Sequence, residues 1–174
     1  MNRVLVAGVG NVFLSDDGFG VEVARRLAGE SLPAGVTVED FGIRGVHLAY
    51  QLLDDYDALI LVDAVAQRGA PGTLYVIEPD LDAVPLTSPA DAHSLDPEVV
   101  LGMVKQLGGR IGCVRVIGCE AAEIVERIGL SEAVERAVPD AVRLIHRVLE
   151  SLQDALQAQT SNQEGRHEPW EGSY

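Results

Sequence analysis

Apolar residues along this chain follow two rhythms that take turns. Arg3 to Val9 is a short apolar run closed by glycines, as a parallel strand buried on both faces requires. Phe19 to Leu27 then repeats apolar residues at 19, 23, 24 and 27, which is a helical period. Val36 to Phe41 reads as a second strand, Leu48 to Leu53 as a helix with its stripe at 48, 49, 52 and 53, and Ala58 to Val62 as a third strand with Asp63 straight after it. Gly72 to Ile77 alternates like a half-exposed strand, and the Gln67 to Pro71 link is too short for a helical crossover, so antiparallel pairing at an edge is predicted. Asp96-Pro97-Glu98 is a helix entrance leading into Val99 to Leu107, with a capping residue, a proline in the first turn and an acid favoured by the helix dipole. Val114 to Gly118 is the last strand. Ser131 starts a helix with one apolar face at 138, 141, 145, 148, 149 and 152, and Pro139 is expected to kink or restart it.

This order predicts an α/β fold, a three-layer α/β/α sandwich around a mostly parallel sheet of about five strands with one antiparallel edge strand. Such sheets bind ligands beyond the carboxyl ends of their parallel strands, which directs attention to the loops after strands one, two and three. Residues 79–95, with Pro79, Pro85 and Pro89, form a long aperiodic loop of the kind that carries function. The pattern stops at Gln157. Residues 1–157 are read as one domain, and 158–174, polar and broken by Gly165, Pro169 and Gly172, as a disordered tail.

Thirteen Lys and Arg against 27 Asp and Glu leave a net charge of −14, which disfavours nucleic acid and anionic membranes. The first residues lack a signal-peptide core and no apolar run is long enough for a bilayer, so a cytoplasmic protein without membrane attachment is expected. Cys113 and Cys119 share a β-type stretch, where bridging is awkward, and are expected to be reduced.

The Gly8-Val9-Gly10 turn opens like a dinucleotide fingerprint, but Phe13 stands where the third glycine belongs, and Asp16 and Asp17 would repel a pyrophosphate. A purely structural account makes these two acids a cap and a dipole partner for the first helix. Only one side chain is needed for that, which leaves Asp17 available as a ligand. Asp63 puts a charge at the exit of an apolar strand, where desolvation is costly without a partner. His93 lies near the end of the long loop, whereas His47, His146 and His167 read as surface residues. Two carboxylates and an imidazole are a borderline donor set suited to nickel, zinc or similar ions, with coordination positions left open. A serine triad is disfavoured because His93 and Ser94 are adjacent and no nucleophile elbow is present.

Gly8-Val9-Gly10-Asn11, Asp16-Asp17-Gly18-Phe19-Gly20, Asp40-Phe41-Gly42 with Gly45, Val62-Asp63-Ala64, Pro71-Gly72-Thr73 and Ala92-His93-Ser94-Leu95 together resemble the nickel-iron hydrogenase maturation endopeptidases, over about residues 3–150. The resemblance implies an enzyme, classed with aspartic-type peptidases, that removes a C-terminal extension from a hydrogenase large-subunit precursor once nickel is installed. It implies Asp17, Asp63 and His93 as ligands that recognise the nickel held by the precursor, and Asp40 as a further acid in processing. The sequence departs from the family mainly in its polar tail, and Arg44 is open between binding a precursor carboxylate and facing solvent. Two rival readings use the same residues. A phosphoacceptor receiver domain needs a lysine after its last strand, whereas Lys105 falls inside a predicted helix. A nickel-binding carrier without hydrolysis would use the same three ligands, though more His or Cys would be expected for retention.

Overall fold

The computed structural model describes residues 2–88 and 96–164. Its elements are β1 (Val4–Val9), α1 (Phe19–Leu27), β2 (Val36–Gly42), α2 (Gly45–Gln51), β3 (Ala58–Val65), β4 (Leu74–Ile77), α3 (Pro97–Gln106), β5 (Cys113–Glu120) and α4 (Glu132–Glu164), with a 3-10 turn at Ser15–Gly18 ahead of α1. The strands lie in the order β2-β1-β3-β5-β4. The first four of these run parallel, and β4 closes the sheet antiparallel to β5, from Leu74 opposite Cys119 to Ile77 opposite Val116. The antiparallel edge follows from the short link after β3, which leaves no room for a crossover helix.

Successive residues of a strand point to opposite faces, and β1 shows the consequence directly. Val4 and Val6 pack with Phe19, Val23 and Leu27 of α1 and with Val138, Ile145 and Leu149 of α4. Leu5, Ala7 and Val9 pack with Leu48 of α2 and with Val100, Met103 and Val104 of α3. Helices therefore cover both faces and the three-layer expectation holds.

Three expectations shift. Helix α2 begins at Gly45, upstream of Leu48, because Gly45 is itself buried at the turn into the helix. Asp63 lies inside β3, in register with Gly118, since pairing with β5 continues through Val65 opposite Glu120. Helix α4 neither restarts at Pro139 nor stops at Gln157 but runs unbroken to Glu164. The proline lacks one backbone donor, but Val138, Ala141, Val142 and Ile145 around it are all buried, and that packing holds the helix through the gap. Residues 165–174 of the anticipated tail lie outside the described residues. Among the described residues, no helix is long and apolar enough to cross a membrane.

Candidate active site at the carboxyl edge of the sheet

Two glycines bring the acids together. Gly10 has φ +126, and a Cβ there would stand 1.8 Å from the Asp17 carbonyl oxygen, so only glycine lets the β1 exit lie against the 3-10 turn. Across that contact the Asn11 amide donates to Asp17 Oδ2 at 2.7 Å. Gly20, in the first turn of α1, has no room for a side chain either. A Cβ would meet the carbonyl oxygens of Val62 at 2.0 Å and Val9 at 2.4 Å. The start of α1 is thus pressed on the ends of β1 and β3, and Asp17 comes within electrostatic reach of Asp63.

Asp63 is half-buried, and the Ala64 amide donates to its Oδ1 at 2.8 Å. Burial, and then repulsion by Asp17, push its carboxyl up to about 8 against the opposing pull of that amide, and Asp96 adds further repulsion. Asp96, read from the sequence only as a helix cap, is therefore a third acid near the pair. Sequence inspection had a signal for it, since it ends the loop that carries His93. His93 itself lies outside the described residues. Among the described residues, no group of three or more His, Cys, Asp or Glu side chains is placed to hold a metal ion. What the fold brings together from the anticipated set is the Asp17–Asp63 pair.

Asp16 does not serve the helix that follows it. It is fully buried, and its carboxylate accepts from the amides of Ala122 at 2.8 Å, Glu123 at 3.1 Å and Ser131 at 2.6 Å and from the Ser131 hydroxyl at 2.9 Å. Burial opposes its ionisation, yet these four donors hold it below the usual carboxylate range. No side-chain cap closes either the 3-10 turn or α1, so the capping account of Asp16 and Asp17 is replaced by this long-range anchor.

Asp40 stands in an adjoining cavity of about 340 Å³ that Gly10, Asn11, Phe13, Ile43 and Arg44 also line. Arg25 Nε donates to Asp40 Oδ2 at 3.2 Å. Arg44 turns its guanidinium onto its own turn, donating from Nε to the Phe41 carbonyl at 3.0 Å and from a terminal nitrogen to the Asp40 carbonyl. Asp40 is thus paired with a cation beside the acid pair, and Arg44 serves the backbone. A larger, apolar cleft of about 390 Å³ opens at the other end of the sheet, between α3 and the segment 81–84, away from these acids.

Other reactive side chains are spoken for. Cys119 is buried, and burial followed by the charges of Asp16 and Glu120 pushes its thiol up to about 12, so it is no nucleophile. Ser15 Oγ is buried, donating to the Glu123 carbonyl at 2.9 Å and accepting from the Val125 amide at 3.1 Å. Glu120, which carries no local signal of such a role, accepts from the amides of Gln67 at 2.9 Å and Arg68 at 3.1 Å and from the Tyr75 hydroxyl at 3.3 Å, which shapes the loop after β3. Lys105 Nζ donates to the carbonyls of Leu81 and Val84 from within α3, so the lysine of a receiver domain is missing from this edge.

An open α/β sheet with a carboxylate pair at its carboxyl edge, and with neither a phosphate cradle nor an activated serine or thiol among the described residues, defines a class of acid-dependent α/β proteins. Comparison with known proteins narrows it. The family model for the hydrogenase maturation protease HycI matches residues 21–148, and the chain belongs to that family. A putative hydrogenase maturation protease of Methanocaldococcus jannaschii is 36% identical over 148 residues, covering 82% of this chain and 93% of the relative. Hydrogenase 2 maturation protease of Escherichia coli is 29% identical over 155 residues, covering 88% and 92%. Among solved structures, hydrogenase 2 maturation peptidase from a Thaumarchaeota archaeon matches with a TM-score of 0.68 and 35% identity over 86% of this chain and 99% of that one. The hydrogenase maturating endopeptidase HybD of Escherichia coli matches with a TM-score of 0.68 and 28% identity, over 88% and 93%. The chain is thus a peptidase of the processing type.

Proposed function

We propose that this protease removes the C-terminal extension of a nickel-iron hydrogenase large-subunit precursor after nickel insertion, and that Asp17, Asp63 and His93 recognise the nickel the precursor carries. The observation that supports this best is the pairing of Asp17 with Asp63 at the ligand-binding edge of a chain belonging to this family. His93 stands three residues before Asp96 in the sequence, and the charge of Asp96 reaches Asp63.

Recognition works by coordination. A precursor holding nickel through its own ligands leaves positions that two carboxylates and an imidazole can fill, and filling them fixes the neighbouring peptide bond at the sheet edge. Without a cation, burial and the charge of Asp17 favour a proton on Asp63. Nickel held by Asp17 and Asp63 would supply Lewis-acid polarisation of the scissile carbonyl or of its attacking water. Asp40 and its cavity, beside the loop after β1, would receive the chain flanking the cut. An aspartic-type assignment fits the acid pair.

The test is to incubate the protein with nickel-loaded and nickel-free precursor and read the mass of the large subunit. A C-terminal peptide should leave only the loaded form, and Asp17→Asn, Asp63→Asn and His93→Ala should each slow the cut by at least ~100-fold, the scale on which positioned groups act. Normal processing by all three variants would overturn the site assignment. Nickel binding without any cleavage would point to a carrier.

A further inference from the structure

The segment after β5 is unusual for a surface loop. It exposes Ile124 (50%), Val125 (45%) and Ile128 (74%), and Phe13 (64%) stands on the neighbouring loop after β1. Large apolar side chains gathered on one surface mark an interaction site when they are held there and are not merely frayed. These are held. The Arg127 amide donates to the Phe13 carbonyl at 3.0 Å, the Ser15 amide to the Arg127 carbonyl at 2.8 Å, and Leu14 bridges to Arg127 in parallel. The buried Ser15 hydroxyl and Asp16 carboxylate bind the same segment from beneath, through Ala122, Glu123, Val125 and Ser131. Arg127 pairs with Glu123 at 2.5 Å, and the exposed Glu126 is the remaining acid of the segment. In a chain of net charge −14, this strip offers four large apolar side chains beside a single exposed acid, Glu126.

We propose that the ridge formed by Phe13, Ile124, Val125 and Ile128 is the docking surface for the folded body of the protein substrate, and that Asp16 is the positioning residue that fixes it relative to the acids. The inference rests on the proposed processing role, which requires a protein substrate at this edge. A sealed carboxylate that spends four hydrogen bonds on a segment 106 to 115 positions away is an expensive way to fold a loop. It makes sense if that loop must stand at a set distance from the residue next door. Asp17 follows Asp16 directly, so the grip on the substrate and the acid that meets its metal share one anchor. The occupant is an apolar protein face. A second copy of this chain is the competing occupant.

The experiment measures direct binding of nickel-loaded precursor to the full-length protein, alongside cleavage, for wild type, Ile124→Ser, Ile128→Glu and Asp16→Asn. The two ridge variants replace exposed side chains and should keep the wild-type melting temperature, weaken precursor binding at least tenfold, and raise KM with kcat within about twofold. Asp16→Asn should weaken binding similarly and speed hydrogen exchange at the Ala122, Glu123 and Ser131 amides. Equal binding by wild type and both ridge variants overturns the proposal, whatever the cleavage. Loss of wild-type self-association in the ridge variants with precursor binding unchanged overturns it in favour of a homodimer face. Ridge-dependent binding without cleavage supports the docking surface and leaves the protease reading as the one that fails.

Discussion

Three aspartates close in sequence or space have three different fates, set by what surrounds each carboxylate. Asp16 is ringed by donors and stays charged, Asp40 has Arg25, and Asp63 faces Asp17 with one amide for company. Asp63 therefore holds its proton up to about pH 8 in the folded protein and releases it near 3.8 when unfolded. Between those values the folded state binds a proton that the unfolded state lacks, so its contribution lowers stability as pH rises through the window. Asp63→Asn removes that penalty. The variant should be more stable than wild type at pH 8 by roughly 1–3 kcal/mol, with the gap closing towards pH 4. Thermal melts at the two pH values check this, and a gap of equal size at both would contradict it. Which acid does what was only partly legible in the sequence. The doublet Asp16-Asp17 was visible, but a donor cluster supplied by residues 122–131 has no local signature.

Elements were read well where one face is cleanly apolar. Helix α1 spans Phe19 to Leu27 as its period requires, and the apolar runs gave β1 and β3 to within a few residues. The misses share a cause, which is that packing overrides local chain preference. Pairing with β5 carries β3 past Asp63, and burial on both sides of Pro139 carries α4 through a residue that breaks isolated helices. The seating of α1 on the strand ends makes a further prediction. Gly20→Ala should lower stability by about 2–4 kcal/mol, because the added methyl meets two backbone oxygens that cannot turn aside as a side chain would. A denaturant midpoint within error of wild type would show that the helix start can lift without cost.

At the scale of the whole molecule, the strand order β2-β1-β3-β5-β4 sets β1 beside β3, and only that adjacency gives residues 17 and 63 a common site. A divalent ion entering it must displace the proton from Asp63. Calorimetric titration with Ni²⁺ in buffers of different ionisation enthalpy should therefore read about one more proton released per ion by wild type than by Asp63→Asn at pH 6, and a declining difference above pH 8. A difference that does not vary with pH would mean the ion binds elsewhere. The chain by itself determined the class of fold, the antiparallel edge and the loops that matter, since hydrophobic period and link length are local properties. It also flagged Asp63, because a charge after an apolar run is conspicuous, and Asp17, because a helix start needs only one acid of a doublet. The tertiary structure alone decided that Asp16 is an anchor, that Asp96 is a neighbour of the pair and that an apolar ridge stands fixed beside it. Those outcomes depend on contacts between residues far apart in sequence, and no periodicity along a chain encodes which distant segments will meet.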